Sequence, residues 1–119
     1  MKYVVLIYGN PESRQAWEGM SEEQRAAGLA YYQQLNDDLD ESGERIVSER
    51  LAYPELTTRI SAGTTTDGPF AEAKEFLAGF YLLDCADLDR ALEIAARVPE
   101  AAFGVVEVRP VMGLHGPEL

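Results

Sequence analysis

The chain has 119 residues, 46% of them hydrophobic and 26% charged, which suits one domain with one core and excludes a disordered chain. Its formal net charge of −11 opposes phosphate and anionic lipid headgroups, so nucleic acid and membrane surfaces are excluded as partners; solubility accounts for the charge. No apolar run reaches bilayer-spanning length, and the single cysteine, Cys85, excludes an internal disulfide.

The opening run has no basic flank and no small-residue cleavage site, so no signal peptide is expected and a reducing cytoplasm is the expected setting. Residues 3–8, Tyr-Val-Val-Leu-Ile-Tyr, are β-branched and aromatic at both parities and are closed by Gly9, Asn10 and Pro11. They predict a strand buried on both faces or nearly so. Residues 11–20 read as a loop containing Trp17. Ser21 and Gln24 have the spacing of a capping box. The helix after them places Gly28, Tyr31, Tyr32, Leu35 and Leu39 on one face and ends at Gly43.

Residues 44–51 predict a second strand, and 52–55 a kink around Pro54. The Thr-rich segments 56–60 and 63–66 flank Ser61, Ala62 and Gly63 and predict a short hairpin. A turn of Asp67, Gly68, Pro69 and Phe70 follows. Residues 71–76 suit a single helical turn, and 77–83 a strand in which Gly79 marks close backbone approach. Cys85, at the end of that strand, suits a small buried hydrophobe. Asp87 can cap a second helix whose apolar face is Leu88, Ala91, Leu92, Ala95 and Val98, with Pro99 ending it. Residues 103–111 give the last strand, and 112–119 a tail.

The order β-α-β, inserted hairpin, β-α-β predicts an α+β fold: a ferredoxin-like split β-α-β on one antiparallel sheet, in a single domain spanning 1–119. Two helices cover one face of such a sheet. The apolar second face calls for a cover, and another copy of the chain is the simplest, so a homodimer is expected.

Chemistry-bearing residues are few. His115, the only histidine, lies in the Gly- and Pro-bearing tail, and a histidine-based triad would have to use it. The ligand set of a zinc site, a phosphate loop and a dinucleotide fingerprint are all missing, so no cofactor is expected. The turn at 67–70 admits two readings. Gly68 and Pro69 can be purely structural, with Asp67 bonded to nearby amides as in an Asx turn. Alternatively the turn aims the Asp67 carboxylate into a pocket walled by Gly68, Pro69 and Phe70 and lined by Tyr8, Tyr32 and Tyr81, where apolar surroundings would raise its pKa. Lys74, with Glu72 and Glu75, is either a solvated cluster or a partner that keeps Asp67 ionised. Phe70, Phe76 and Phe80 suit the core or a dimer interface.

The segments "MKYVVLIYG", "DGPFAEAKEFLAGFYLLD" and "AARVPEAAFGVVEVRPV" together resemble the DGPF-type branch of the YCII-related proteins, over residues 2–111. The resemblance implies a ferredoxin-like α+β fold and a dimer built sheet to sheet, a dimeric α+β barrel. Some members of that family sit in operons with extracytoplasmic-function sigma factors, and lyase-like members have a His-Asp pair as the proposed catalytic centre. On this chain the family aspartate matches Asp67. The charged patch matches Glu72, Lys74 and Glu75, and the strand matches Gly79, Phe80 and Tyr81. The place of the histidine matches Tyr32, or Tyr31 if the register slips by one. A tyrosine there can donate a hydrogen bond, but its ordinary pKa near ~10 makes it a poor base at neutral pH.

Three functions are compatible with these residues. One is a cleft beside the turn that binds a small organic molecule without turnover. Another is a cofactor-free lyase or isomerase in which Asp67 moves a proton and a tyrosine, Tyr32, steadies an oxyanion. The third is a protein-interaction or regulatory module linked to transcription through its operon.

Overall fold

A computed structural model describes residues 1–68, 74–114 and 116–117. Its main sheet holds four strands: β1 (Lys2–Gly9), β2 (Arg45–Arg50), β5 (Phe76–Asp84) and β6 (Val105–Pro110). The spatial order is β2-β5-β1-β6 and every pairing is antiparallel. Counting these four alone, this is the 4-1-3-2 order of the ferredoxin-like split β-α-β. Between β2 and β5 the chain makes a separate two-stranded ribbon, β3 (Thr58–Ser61) and β4 (Thr64–Asp67), turned by Ala62 and Gly63 at positive φ. At the end, β7 (Met112–Gly113) pairs with β8 (Gly116–Pro117), so the expected tail contains a small hairpin. His115 lies outside the described residues.

The long helix α2 (Glu22–Ser42) forms where the capping box places it. The Ser21 hydroxyl accepts from the Gln24 backbone N–H, Gln24 Oε1 accepts from the Ser21 backbone N–H, and Gly43 ends the helix at φ 78°. Leu35 and Leu39 are its buried pair. They meet Tyr3, Val5 and Ile7 of β1, Tyr81 and Leu83 of β5, and Ala91, Ile94, Ala95 and Val98 from α3 (Leu88–Ala96) and its C-terminal end. This is the core among the described residues, and it lies on the helix-covered face of the sheet.

Three helical segments differ from expectation. Residues 11–20 are not a loop: α1 (Pro11–Glu18) occupies them, started by a reciprocal capping box between Asn10 and Ser13, with Pro11 in its first turn. Proline is well suited there, because its missing N–H would have no intrahelical partner. The apolar face of α3 is rotated from the expected stripe. Ile94 is 1% exposed, whereas Leu88 and Leu92 are 45% and 48% exposed. Both stripes share Ala91, Ala95 and Val98, so periodicity does not separate them; docking onto β1 and β6 does. Phe103 belongs to a short helix, α4 (Glu100–Phe103), rather than to the last strand.

Burial along β1 alternates strictly instead of covering both faces. Tyr3, Val5 and Ile7 are buried, while Val4, Leu6 and Tyr8 are partly open. Register sets Val4 opposite Leu82 and Leu6 opposite Phe80, so the uncovered face carries its own apolar strip. Of the helical turn expected over 71–76, residues 71–73 lie outside the described residues; Lys74 and Glu75 form a bend and Phe76 opens β5. Around the core, Arg90 donates from two nitrogens to Glu44 at 2.9 and 2.8 Å. That pairing holds the Glu44 carboxyl below its usual range.

Candidate functional site

Between α1, α2 and the helix-facing side of the sheet lies a cleft of about 750 Å³, within the size range of small-molecule sites. Two close approaches shape it. On α2, Gly28 leaves room for the Trp17 ring of α1; a Cβ there would stand 3.4 Å from that ring, so α1 can lie over α2. On β5, a Cβ at Gly79 would stand 2.9 Å from the Glu49 carbonyl oxygen. Only glycine lets β2 run that close, which brings Ser48 and Arg50 alongside Tyr81.

The walls are aromatic: Trp17, Tyr32, Tyr53, Phe76, Tyr81 and Phe103. Tyr53 and Phe76 meet edge to face with ring centres 6.5 Å apart. Polar groups converge at the inner end. The Tyr81 hydroxyl donates to Asn36 Oδ1 at 2.5 Å. The Tyr32 hydroxyl donates to Glu100 Oε2, joining α2 to the first residue of α4. Burial first, then the Glu100 contact, pushes the Tyr32 hydroxyl well above the usual phenol range; burial pushes Tyr81 up as well. Both phenols are therefore neutral hydrogen-bond donors at physiological pH and poor bases. At the mouth, Arg14 pairs with Glu55 at 2.6 Å and Glu18 at 3.0 Å and lies 3.7 Å over the Tyr53 ring. Arg50 lies 5.3 Å from the centre of the Trp17 ring.

The fold brings Tyr8, Tyr32 and Tyr81 to this one cleft. It places Asp67 elsewhere: exposed at the end of β4, on the ribbon, and absent from the cleft wall. Gly68 follows at φ 89°, its amide bonded to the Thr57 carbonyl at 2.6 Å. Lys74 is exposed and also stands apart from the cleft. Pro69 and Phe70 lie outside the described residues. Glu100 and Glu49 are the acidic residues that line the cleft, and Glu100, the one bonded to Tyr32, carries no sequence signal, nor do Asn36 and Arg50. No local pattern marks Glu100, because its partner Tyr32 lies 68 residues away. Trp17 was hidden by reading its helix as a loop. Among the described residues no cluster of His, Cys, Asp and Glu could hold a metal ion, and no helix is long and apolar enough to cross a membrane.

Comparison with known proteins agrees with this architecture. An uncharacterised protein of Rhizobium meliloti (strain 1021) is 40% identical over 123 residues, covering 98% of this chain and 96% of that relative. A solved structure, 5-chloro-2-hydroxyhydroquinone dehydrochlorinase from Burkholderia phenoliruptrix AC1100 in complex with 2,5-dihydroxybenzoquinone, matches with a TM-score of 0.50. It is 21% identical and the match covers 98% of this chain and 99% of that one, a likeness of fold. The model of the YCII-related domain matches residues 1–115. With its split β-α-β sheet and a match over nearly its whole length, this chain belongs to the YCII-related domain family.

Proposed function

We propose that the protein binds a small aromatic molecule in the cleft between α1, α2 and the sheet. The observation that carries this reading is the cleft itself: about 750 Å³ walled by aromatic rings, with the Tyr32–Glu100 and Tyr81–Asn36 pairs converging at one end. Flat apolar walls favour a ring, and the two pairs offer donors and acceptors to a hydroxyl or carbonyl on it.

A thermal-shift screen of phenols and small aromatic acids tests this, because a ligand of the folded state raises the melting temperature by mass action. Hits are expected, and Glu100→Gln is expected to weaken them. Asp67→Asn is the informative comparison. The exposed position of Asp67 on the ribbon predicts shifts equal to wild type. Shifts lost in Asp67→Asn and kept in Glu100→Gln would instead assign the site to the 67–70 turn.

A second reading, a cofactor-free lyase or isomerase, is favoured by the Tyr32–Glu100 pair. Glu100 would accept a proton from an acidic C–H of the bound molecule. The electron pair left behind would form an enolate, its oxygen receiving a hydrogen bond from a neutral phenol. Returning the proton to another carbon gives isomerisation; expelling a leaving group gives elimination. The dehydrochlorinase named above belongs to the second class, but its likeness bears on fold alone, so this reading rests on Glu100 and Tyr32.

We also propose that the open sheet face is closed by a second copy of the chain. Val4, Leu6, Phe80 and Leu82 form its apolar strip, and Val47, opposite Leu82, extends it. Phe80→Glu places a charge in the middle of that strip. Analytical ultracentrifugation is expected to find a wild-type dimer and a monomeric or much weaker variant. A wild-type monomer at all concentrations would refute the sheet-to-sheet pairing.

A further inference from the structure

The two arginines at the cleft differ in one respect. Arg14 is neutralised by Glu18 and Glu55, and its guanidinium is already stacked on Tyr53. Arg50 makes no ion pair with any described residue; its guanidinium carbon lies 5.3 Å from the centre of the Trp17 ring, and its charge also acts on the Tyr32 hydroxyl. The neighbouring carboxylate, Glu49, does not serve it. Register pairs Ser48 with Tyr81, Glu49 with Phe80 and Arg50 with Gly79, so Arg50 shares a sheet face with Tyr81 while Glu49, though it borders the cleft, stands at the opposite parity. At the inner end Glu100 already accepts from Tyr32. In a chain of net charge −11, the cleft therefore keeps a guanidinium with no counter-ion among the described residues, next to the largest ring of its wall.

A guanidinium in this setting is matched by a carboxylate, which it can hold through two parallel hydrogen bonds. Trp17 also restrains the arginine side chain, which reduces the ordering needed on binding. We propose that Arg50 is the anion-recognising residue of the cleft and that the ligand is a small aromatic carboxylate. Its ring lies along Trp17 and its carboxylate against Arg50, with any hydroxyl directed toward Tyr32 and Tyr81. This rests on the cleft reading given above and adds the charge of the ligand to it.

The test is isothermal titration of wild type, Arg50→Gln and Arg50→Lys with salicylate and with its uncharged amide, salicylamide. Wild type is expected to prefer salicylate by about tenfold, the scale of one charge-assisted hydrogen-bonded contact. Arg50→Gln is expected to lose that preference while still binding the amide, and Arg50→Lys to keep part of it. Unliganded Arg50→Gln is expected to melt with wild type, since the side chain is exposed and makes no ion pair among the described residues. Equal binding of the two probes by wild type, or a preference that survives in Arg50→Gln, overturns the inference and leaves the cleft reading standing. Failure of both probes where other phenols bind does the same. Failure of every aromatic compound tested removes the cleft reading together with this one.

Discussion

Leu35→Ala is expected to lower stability by about 2–5 kcal/mol, the usual cost of emptying a leucine-sized space in a packed core. For a domain of this size that is a fall in melting temperature of roughly 8–20 °C. Leu35 is 0% exposed and sits with Leu39 where α2 meets β1, β5 and α3. The same helical turn carries Tyr32 and Asn36, one on either side of Leu35. Loosening that turn moves both polar pairs of the cleft, so affinity for any cleft ligand is expected to fall along with stability. Urea unfolding followed by circular dichroism measures the first effect, and titration of a hit from the ligand screen the second. A loss below about 1 kcal/mol would mean that α2 does not dock on the sheet as described, because a surface substitution costs no more than that.

That coupling also explains what the sequence could and could not disclose. The strands, the long helix and the hairpin were legible because each is specified locally: β-branched runs, Ser21 and Gln24 as a capping box, Gly43 as a stop. Gly79 could be read as a close approach because an isolated glycine in a strong strand has few other uses. The helix over 11–18 was legible in principle, since Asn10 and Ser13 have capping spacing, but the short and polar segment carries no buried residue to give a periodic signal. The rotation of α3 was beyond local reading. Ile94 and Leu92 compete for one inward position, and only the shape of β1 and β6 decides between them. The glycine and proline of the 67–70 turn mark Asp67 as a candidate carboxylate, whereas the carboxylate bonded to Tyr32 in the cleft is that of Glu100. A turn announces itself in sequence through glycine and proline. A contact between residues 32 and 100 is made by folding and leaves no local mark.

The Tyr32–Glu100 contact is where fold and proposed chemistry meet, and a double-mutant cycle measures it. Tyr32→Phe removes the donor and leaves the Glu100 carboxylate facing an aromatic cleft without its partner, an expected cost of about 1–3 kcal/mol. Glu100→Gln keeps an acceptor oxygen and should cost less. The double variant should cost less than the sum of the two, with a coupling energy of about 1 kcal/mol, the part of the hydrogen bond that depends on the charge. The pH dependence has a definite sign. The folded protein holds the Tyr32 phenol with a pKa raised above its unfolded value near ~10. Above that pH the unfolded chain binds fewer protons than the folded one, so stability falls as pH rises; below it, this contribution is fully present. Wild type should therefore lose stability more steeply than Tyr32→Phe above about pH 10, with tyrosinate absorbance rising as the chain unfolds. Equal slopes for the two proteins, or a coupling near zero, would show that the phenol is not held by burial and Glu100. The same variants then decide between the two functional readings. If the cleft only binds, Tyr32→Phe and Glu100→Gln weaken a ligand to similar degrees. If it moves protons, exchange of an acidic C–H of the bound ligand with deuterated solvent should be catalysed by wild type and lost in Glu100→Gln, even at ligand concentrations that saturate the variant.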